Sequence, residues 1–329
     1  MPAVPSQQNT GTGDSAPGRA ASGPGGAETG APEAGSAAKP HRPGGQEKPG
    51  RSRQPALKRP RHRLSQFRLG HLLLFLALLA AWWIVTATGL VKPLFLPSPG
   101  AVWHSFVQSN TCRPVAEGQT AEICGEQNYF LWQHLLASLE RIAVGVGVGF
   151  LAGTALGFLM GTIGWLGKLL DPYLNFLRSL PPLGYIGLLI VWFGIGDVSK
   201  VWLLFLAAFP PIAMSTLVGV RGVQKDRILA ARSLGASRAQ VLTRVILPSA
   251  LPSILNGLRV ATGFAWTTVV AAELNNGIPG IGALAYISGT QLNTPLTICC
   301  IIIIGIAAVL LDMGLKRLST ALVPWQGKA

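Results

Sequence analysis

The chain has 329 residues, of which 49% are apolar and only 12% charged, yet its net charge is +14. Soluble domains carry about twice that density of charge, and several apolar runs here reach the ~20 residues that a helix needs to cross a bilayer. The composition predicts a polytopic membrane protein. It also argues against nucleic acid as a partner, because the basic residues sit in the N-terminal stretch and in loops beside apolar runs, where positive-inside topology accounts for them.

Residues 1–64 are rich in Gly, Pro, Ala, Ser and charge and hold almost no large apolar side chain, so they are expected to form a disordered cytoplasmic tail. The stretch is too long and polar for a secretory signal. Arg51, Arg53, Lys58, Arg59, Arg61, Arg63 and Arg68 then precede the first span, residues 72–91, and hold the N-terminus inside, where they can rest on anionic lipid. Leu96-Pro97-Ser98-Pro99 reads as a short extended element leading to an external loop with Cys112, Cys124, Glu117, Glu122 and Glu126. In an oxidising compartment Cys112 and Cys124 could close a disulfide; otherwise they are two free thiols, and spacing does not choose between them. No His or further Cys stands at ligand spacing, so no metal site is expected.

Leu131 to Arg141 reads as an amphipathic helix and residues 142–163 as a second span. Gly145, Gly149, Gly153, Gly157 and Gly161 recur every four residues and put a small face on that span, a pattern for close helix packing and not for catalysis. Lys168 marks a return to the cytoplasmic side, and a third span, residues 172–192, contains Arg178 and Pro181-Pro182. A cation within an apolar segment faces a water-filled path or a partner, or else lies near the segment's end and snorkels to headgroups or pairs with Asp171; the sequence leaves Arg178 open between these. Gly194-Ile195-Gly196 is too short for a nucleotide fingerprint and reads as an external turn. The remaining spans are residues 201–220, 254–272 and 295–315, with Cys299 and Cys300 as packing residues and Glu273 to Thr294 outside. Lys316, Arg317 and Lys328 hold the C-terminus inside.

Between the fourth and fifth spans lies a basic island in which Arg221, Lys225, Arg227, Arg232, Arg238 and Arg244 are opposed only by Asp226, a cytoplasmic bias. Its chemistry describes two helices with a sharp corner. Ala230 to Leu234 favour helix, Gly235 permits the backbone that ends one, and Ser237 with Gln240 forms a capping box that starts the next. Pro248 is expected to stop the second helix.

The same residues resemble the permease subunits of binding-protein-dependent ABC importers. In that family the cytoplasmic motif is Glu-Ala-Ala, three residues, Gly, nine residues, Ile, one residue, Leu-Pro. Ala230-Ala231, Gly235, Val245 and Leu247-Pro248 fall on that spacing, with Leu229 in place of the acidic residue and Val245 in place of the isoleucine. The resemblance covers residues 70–329. Val191-Trp192-Phe193-Gly194-Ile195-Gly196, Ser233 to Gln240, Ala271-Ala272-Glu273-Leu274 and Pro324-Trp325-Gln326-Gly327 narrow it to the nitrate, sulfonate and taurine permeases, the last above all. Ser179-Leu180 after Arg178, and Asn275-Asn276, depart from the usual taurine pattern.

The resemblance implies an all-α, type I ABC importer permease fold of about six transmembrane helices with a cytoplasmic coupling-helix loop, multi-pass in the cytoplasmic (inner) membrane. It implies that Ala230, Ala231, Arg232, Gly235, Ala236, Ser237, Arg238, Leu247 and Pro248 form the loop that docks on an ATPase subunit. The expected solute is taurine or another aliphatic sulfonate, with nitrate or bicarbonate as the alternative. The implied partners are an ABC ATPase dimer, a second permease subunit (as a homodimer) and an extracytoplasmic solute-binding protein. The chain has no Gly-x-x-x-x-Gly-Lys-Ser/Thr loop, so ATP hydrolysis is expected in a separate subunit, with no cofactor and no catalytic residue in this one. A membrane enzyme would want clustered His, Asp, Glu or Cys, where Asp171, Glu273 and Asp312 read as scattered; a channel would want a filter or charge rings.

Overall fold

The computed structural model describes residues 63–114 and 122–325. The expected tail lies outside these residues except for its last two positions, and so does Glu117 of the external loop. Among the described residues the order is α1 (Arg63–Ala87), α2 (Pro99–Gln108), a hairpin of β1 (Cys112–Pro114) and β2 (Glu122–Cys124), α3 (Leu131–Thr162), α4 (Gly164–Ser179), α5 (Ile186–Phe193), α6 (Asp197–Arg221), α7 (Lys225–Ser233), α8 (Arg238–Gln240), α9 (Leu247–Glu273), α10 (Ile281–Thr290) and α11 (Thr294–Leu322). Among the described residues four rods are long and apolar enough to cross a membrane: Leu131–Thr162, Asp197–Arg221, Arg238–Glu273 and Thr294–Leu322. The apolar part of α1, Leu72–Ala87, is shorter.

The bundle is built on α3, α6 and α9. The glycine series of α3 lies along α6, and the two helices run parallel. A Cβ on Gly145 would stand 2.5 Å from that of Leu204, one on Gly149 3.1 Å from that of Ala208, and one on Gly153 2.8 Å from the Phe209 carbonyl oxygen; one on Gly157 would overlap the Ala213 carbonyl oxygen. Backbones meet where side chains would otherwise hold them apart, and packing of this kind replaces the hydrophobic drive that lipid removes. Helix α9 returns antiparallel against α6, and Val146, Leu204, Ala208, Ile212, Ala261, Ala265 and Val269 form the shared core.

Several local expectations are corrected. Leu131–Thr162 is one helix and not an amphipathic segment followed by a span, because no breaker separates Arg141 from Ile142. The third span is not continuous over 172–192: Leu180 (ψ 127°) and Pro181 (ψ 128°) are extended, a 3-10 turn covers Pro182–Gly184, and helix resumes at Ile186. A proline disfavours the helical region at the residue before it, and at Leu180-Pro181 the chain leaves the helix, whereas Pro210-Pro211 lie inside the continuous helix α6. Leu96 to Pro99 leads at once into helix α2, where the Ser98 hydroxyl accepts from the Ala101 N–H at 3.2 Å and Pro99 opens the first turn. Helix α10 lies within the stretch expected to be external loop. Pro248 does not stop its helix either. A π turn over Val241–Ile246 widens the rod just before it, with the Leu247 N–H reaching back to the Leu242 carbonyl, so the chain absorbs the proline and continues to Glu273.

Candidate functional site

The basic island forms a compact knob at the end of the bundle where α6 finishes. Helix α7 closes in a Schellman arrangement: the Ala236 N–H donates to the Ala231 carbonyl at 3.1 Å, the Gly235 N–H donates to that of Arg232 at 2.9 Å, and Gly235 has φ +81°. Ser237 then starts α8 with both capping-box bonds, its N–H to Gln240 Oε1 at 2.8 Å and its hydroxyl accepting from the Gln240 N–H at 3.3 Å. The corner is therefore fixed by hydrogen bonds. Of the residues singled out in the sequence, Ala231 and Ala236 turn inward and pack on Val220, Val241, Ile246, Ala250 and Ile254. Ala230, Arg232, Gly235, Ser237 and Arg238 are exposed, while Leu247 and Pro248 lie farther along, in the first turn of α9. Sequence reasoning missed Leu234, which is 88% exposed at the tip beside Gly235. Its apolar side chain in a basic loop was the available signal.

Arg178 is in the last turn of α4 and lines a cavity of about 700 Å³ between α4, α6 and α9. Pro211, Met214, Ser215 and Val218 form the α6 wall; Pro252, Ser253, Asn256, Val260 and Phe264 form the α9 wall. A smaller cavity of about 190 Å³ is lined by Pro182, Leu206 and Ala207 and shares Arg178, Pro211 and Phe264 with the first, so Arg178 borders both. No ion pair joins Arg178 to Asp171 among the described residues. Asp171 accepts instead from Asn175 Nδ2, at 3.3 Å.

At the opposite end of the rods the structure gathers charges that looked isolated in sequence. The fully buried Glu273 carboxylate accepts from the Ser138 hydroxyl at 2.6 Å, Arg141 Nη1 at 2.7 Å and the Gly282 N–H at 2.8 Å. Arg141 Nε donates to Asp197 Oδ1 at 2.8 Å, and Lys200 Nζ donates to the Asn276 carbonyl at 2.7 Å and to Asp197 Oδ1 at 3.4 Å. His134 joins in: its Nδ1 accepts from the Gly280 N–H at 3.1 Å while Nε2 lies 3.1 Å from the Glu126 carbonyl, which the Nε2–H tautomer satisfies. Buried charges are tolerated when paired and hydrogen-bonded, and this set ties α3, α6 and α9 to the loop before α10. Asp312 is likewise not isolated, since it takes a two-point contact from Arg259, both bonds 2.9 Å. In the β1–β2 hairpin, Cys112 faces Cys124 across the strand pair and the two are joined as a disulfide. Cys299 and Cys300 are buried free thiols.

The sequence profile described as "binding-protein-dependent transport system inner membrane component" matches residues 145–328. The taurine transport system permease protein TauC of Escherichia coli K12 is 44% identical over 254 residues, covering 76% of this chain and 87% of TauC. The putative aliphatic sulfonates transport permease protein SsuC of Bacillus subtilis 168 is 33% identical, covering 78% and 87%. The bicarbonate transport system permease protein CmpB of a Synechocystis strain is 31% identical, covering 76% and 87%. Among solved structures, a chain of the MetNI methionine ABC transporter in an inward-facing conformation superposes with a TM-score of 0.52 at 23% identity, over 58% of this chain and 95% of that one, and shares its fold. With more than half its length matching the profile, and with relatives of this identity and coverage, the chain belongs to the binding-protein-dependent transport system inner membrane components.

Proposed function

We propose that this chain is the membrane-spanning subunit of an ATP-driven importer for taurine or another aliphatic sulfonate. The observation that carries the solute class is the cavity beside α4: its one charged wall residue among the described residues is the cation Arg178, with no Asp or Glu beside it. A cation on a low-dielectric wall attracts anions and disfavours cations. The relatives support the same class, since taurine, aliphatic sulfonates and bicarbonate all carry anionic oxygens.

In this reading Arg178 lies on the translocation path. The knob carries the coupling to an ATPase dimer: Ala230, Arg232, Gly235, Ser237 and Arg238 on its outer face with Leu234 as an apolar tip, Ala231 and Ala236 anchoring it, and the turn at Leu247-Pro248 transmitting its movement into α9. A second copy of the chain completes the pathway, an external solute-binding protein delivers the anion, and both termini lie in the cytoplasm. ATP hydrolysis belongs to the partner. Closure of the ATPase pair would draw two knobs together and rock the attached rods between outward-open and inward-open arrangements.

The test is uptake by the assembled transporter in vesicles, with labelled taurine, ethanesulfonate, nitrate and bicarbonate offered in turn. ATP-dependent uptake of taurine or ethanesulfonate is expected. Uptake of nitrate or bicarbonate alone would reassign the solute, and uptake of none of the four would overturn the reading.

A further inference from the structure

The α6–α9 crossing contains two reciprocal serine–glycine pairs. A Cβ on Gly257 of α9 would stand 2.6 Å from Ser215 Cβ on α6, and one on Gly219 of α6 would stand 2.7 Å from Ser253 Cβ on α9. Each serine is thus held opposite a glycine that leaves room for a small side chain and no more. Both serines also line the large cavity, with Asn256 one position short of Gly257 and Arg178 across from them.

Their hydroxyls behave unlike their neighbours. In an apolar helix a serine or threonine normally turns its hydroxyl back to the carbonyl four residues earlier. Thr216 does so to Ile212 and Thr262 to Leu258, each at 2.8 Å. Ser215, Ser253 and Asn256 make no side-chain hydrogen bond to the protein among the described residues, and neither does Arg178. Two hydroxyl donors, an amide donor and a guanidinium therefore border one cavity without acceptors of their own, and no carboxylate on its wall competes for them.

We propose that Arg178, Ser215, Ser253 and Asn256 form an oxoanion subsite that holds the sulfonate group during passage. The group has three oxygens and accepts hydrogen bonds only, matching a donor set with a single positive charge. The rest of the wall, including Met214, Val218 and Phe264, is apolar, which strengthens that charge at close range. At about 700 Å³ the cavity is of ordinary small-ligand size. The proposal rests on the reading of this chain as an oxoanion permease and adds the residues that hold the anion.

Two measurements on the assembled transporter separate the proposal from that reading. The first labels a Ser253→Cys variant with methanethiosulfonate ethylsulfonate and with its trimethylammonium counterpart, using as control the parent, whose free Cys299 and Cys300 are buried. The sulfonate reagent should react several-fold faster, and the preference should vanish when Arg178→Gln is added. The second measures taurine uptake by Ser215→Ala/Ser253→Ala, which keeps the small side chains that the glycines require. Its half-saturating concentration should rise about tenfold or more, the usual consequence of losing hydrogen bonds to a charged group. Equal labelling by the two reagents overturns the subsite. Taurine uptake matching the parent in the double variant also overturns it and leaves the permease reading standing. Failure of the parent to move any oxoanion, with the labelling preference intact, overturns the solute reading and leaves the anion subsite standing.

Discussion

Replacing Arg141 with Met removes the charge partner of the most deeply buried carboxylate in the described residues. The Glu273 side chain is 0% exposed and that of Arg141 only 7%. Without the guanidinium, Glu273 keeps the Ser138 hydroxyl and the Gly282 N–H but no compensating charge in contact. Breaking a buried pair from one side costs ~3–5 kcal/mol, whereas replacing both partners with apolar groups of similar volume is often close to neutral. Arg141→Met should therefore destabilise the folded permease by that amount, and Arg141→Met/Glu273→Leu should recover at least half of it. Lys200 keeps Asp197 and the Asn276 carbonyl in both variants, and Ser138 can still donate to the His134 carbonyl at 3.2 Å. Unfolding of the purified protein in mild detergent by added denaturing detergent, compared across parent, both singles and the double, gives the coupling energy directly. A single variant within ~1 kcal/mol of the parent, or a double no more stable than the Arg141→Met single, would refute the account of these charges as a mutually compensated set.

The remaining expectations concern packing, coupling, redox state and topology. Gly157→Leu places a Cβ against the Ala213 backbone and 2.7 Å from Thr216 Cβ, so α3 and α6 must separate; overpacking of this kind costs ~1–3 kcal/mol or more, read as reduced yield of folded protein after detergent extraction. A Cβ on Gly235 would meet no atom within 4 Å, so the φ of +81° is what disfavours Gly235→Val, and a β-branched residue there costs roughly 1–3 kcal/mol. Taurine uptake should fall sharply with normal amounts of inserted protein, while Gly235→Asn retains most of it; full uptake by the valine variant sinks the coupling role. Cys112 and Cys124 should resist alkylation in an oxidising-envelope host until a reductant is added, and labelling of both beforehand would contradict the bridge. Reporter fusions at Asn128 and at Lys225 should report opposite sides of the membrane, and a shared side would overturn the proposed orientation.

Most of the architecture was legible in the chain because lipid imposes it locally. With no water in the bilayer core each span must satisfy its own backbone, so apolar length alone identifies rods such as Asp197–Arg221 and Thr294–Leu322. The four-residue glycine period of α3, the capping box at Ser237 and the corner at Gly235 were equally legible, since each depends on residues within a turn or two. Local rules failed where a proline could be accommodated in more than one way. Pro181-Pro182 interrupt a rod, Pro210-Pro211 lie inside the continuous helix α6, and Pro248 is absorbed by the π turn before it. Only tertiary structure decided the polar sites. Glu273 and Arg141 are 132 residues apart and Arg259 and Asp312 are 53 apart, so their partnership lies in helix packing and in no spacing along the chain. Ser215 and Ser253 likewise acquire meaning only when α6 and α9 cross, because a hydroxyl becomes a donor to a cavity through what lies opposite it, and sequence distance carries no record of that.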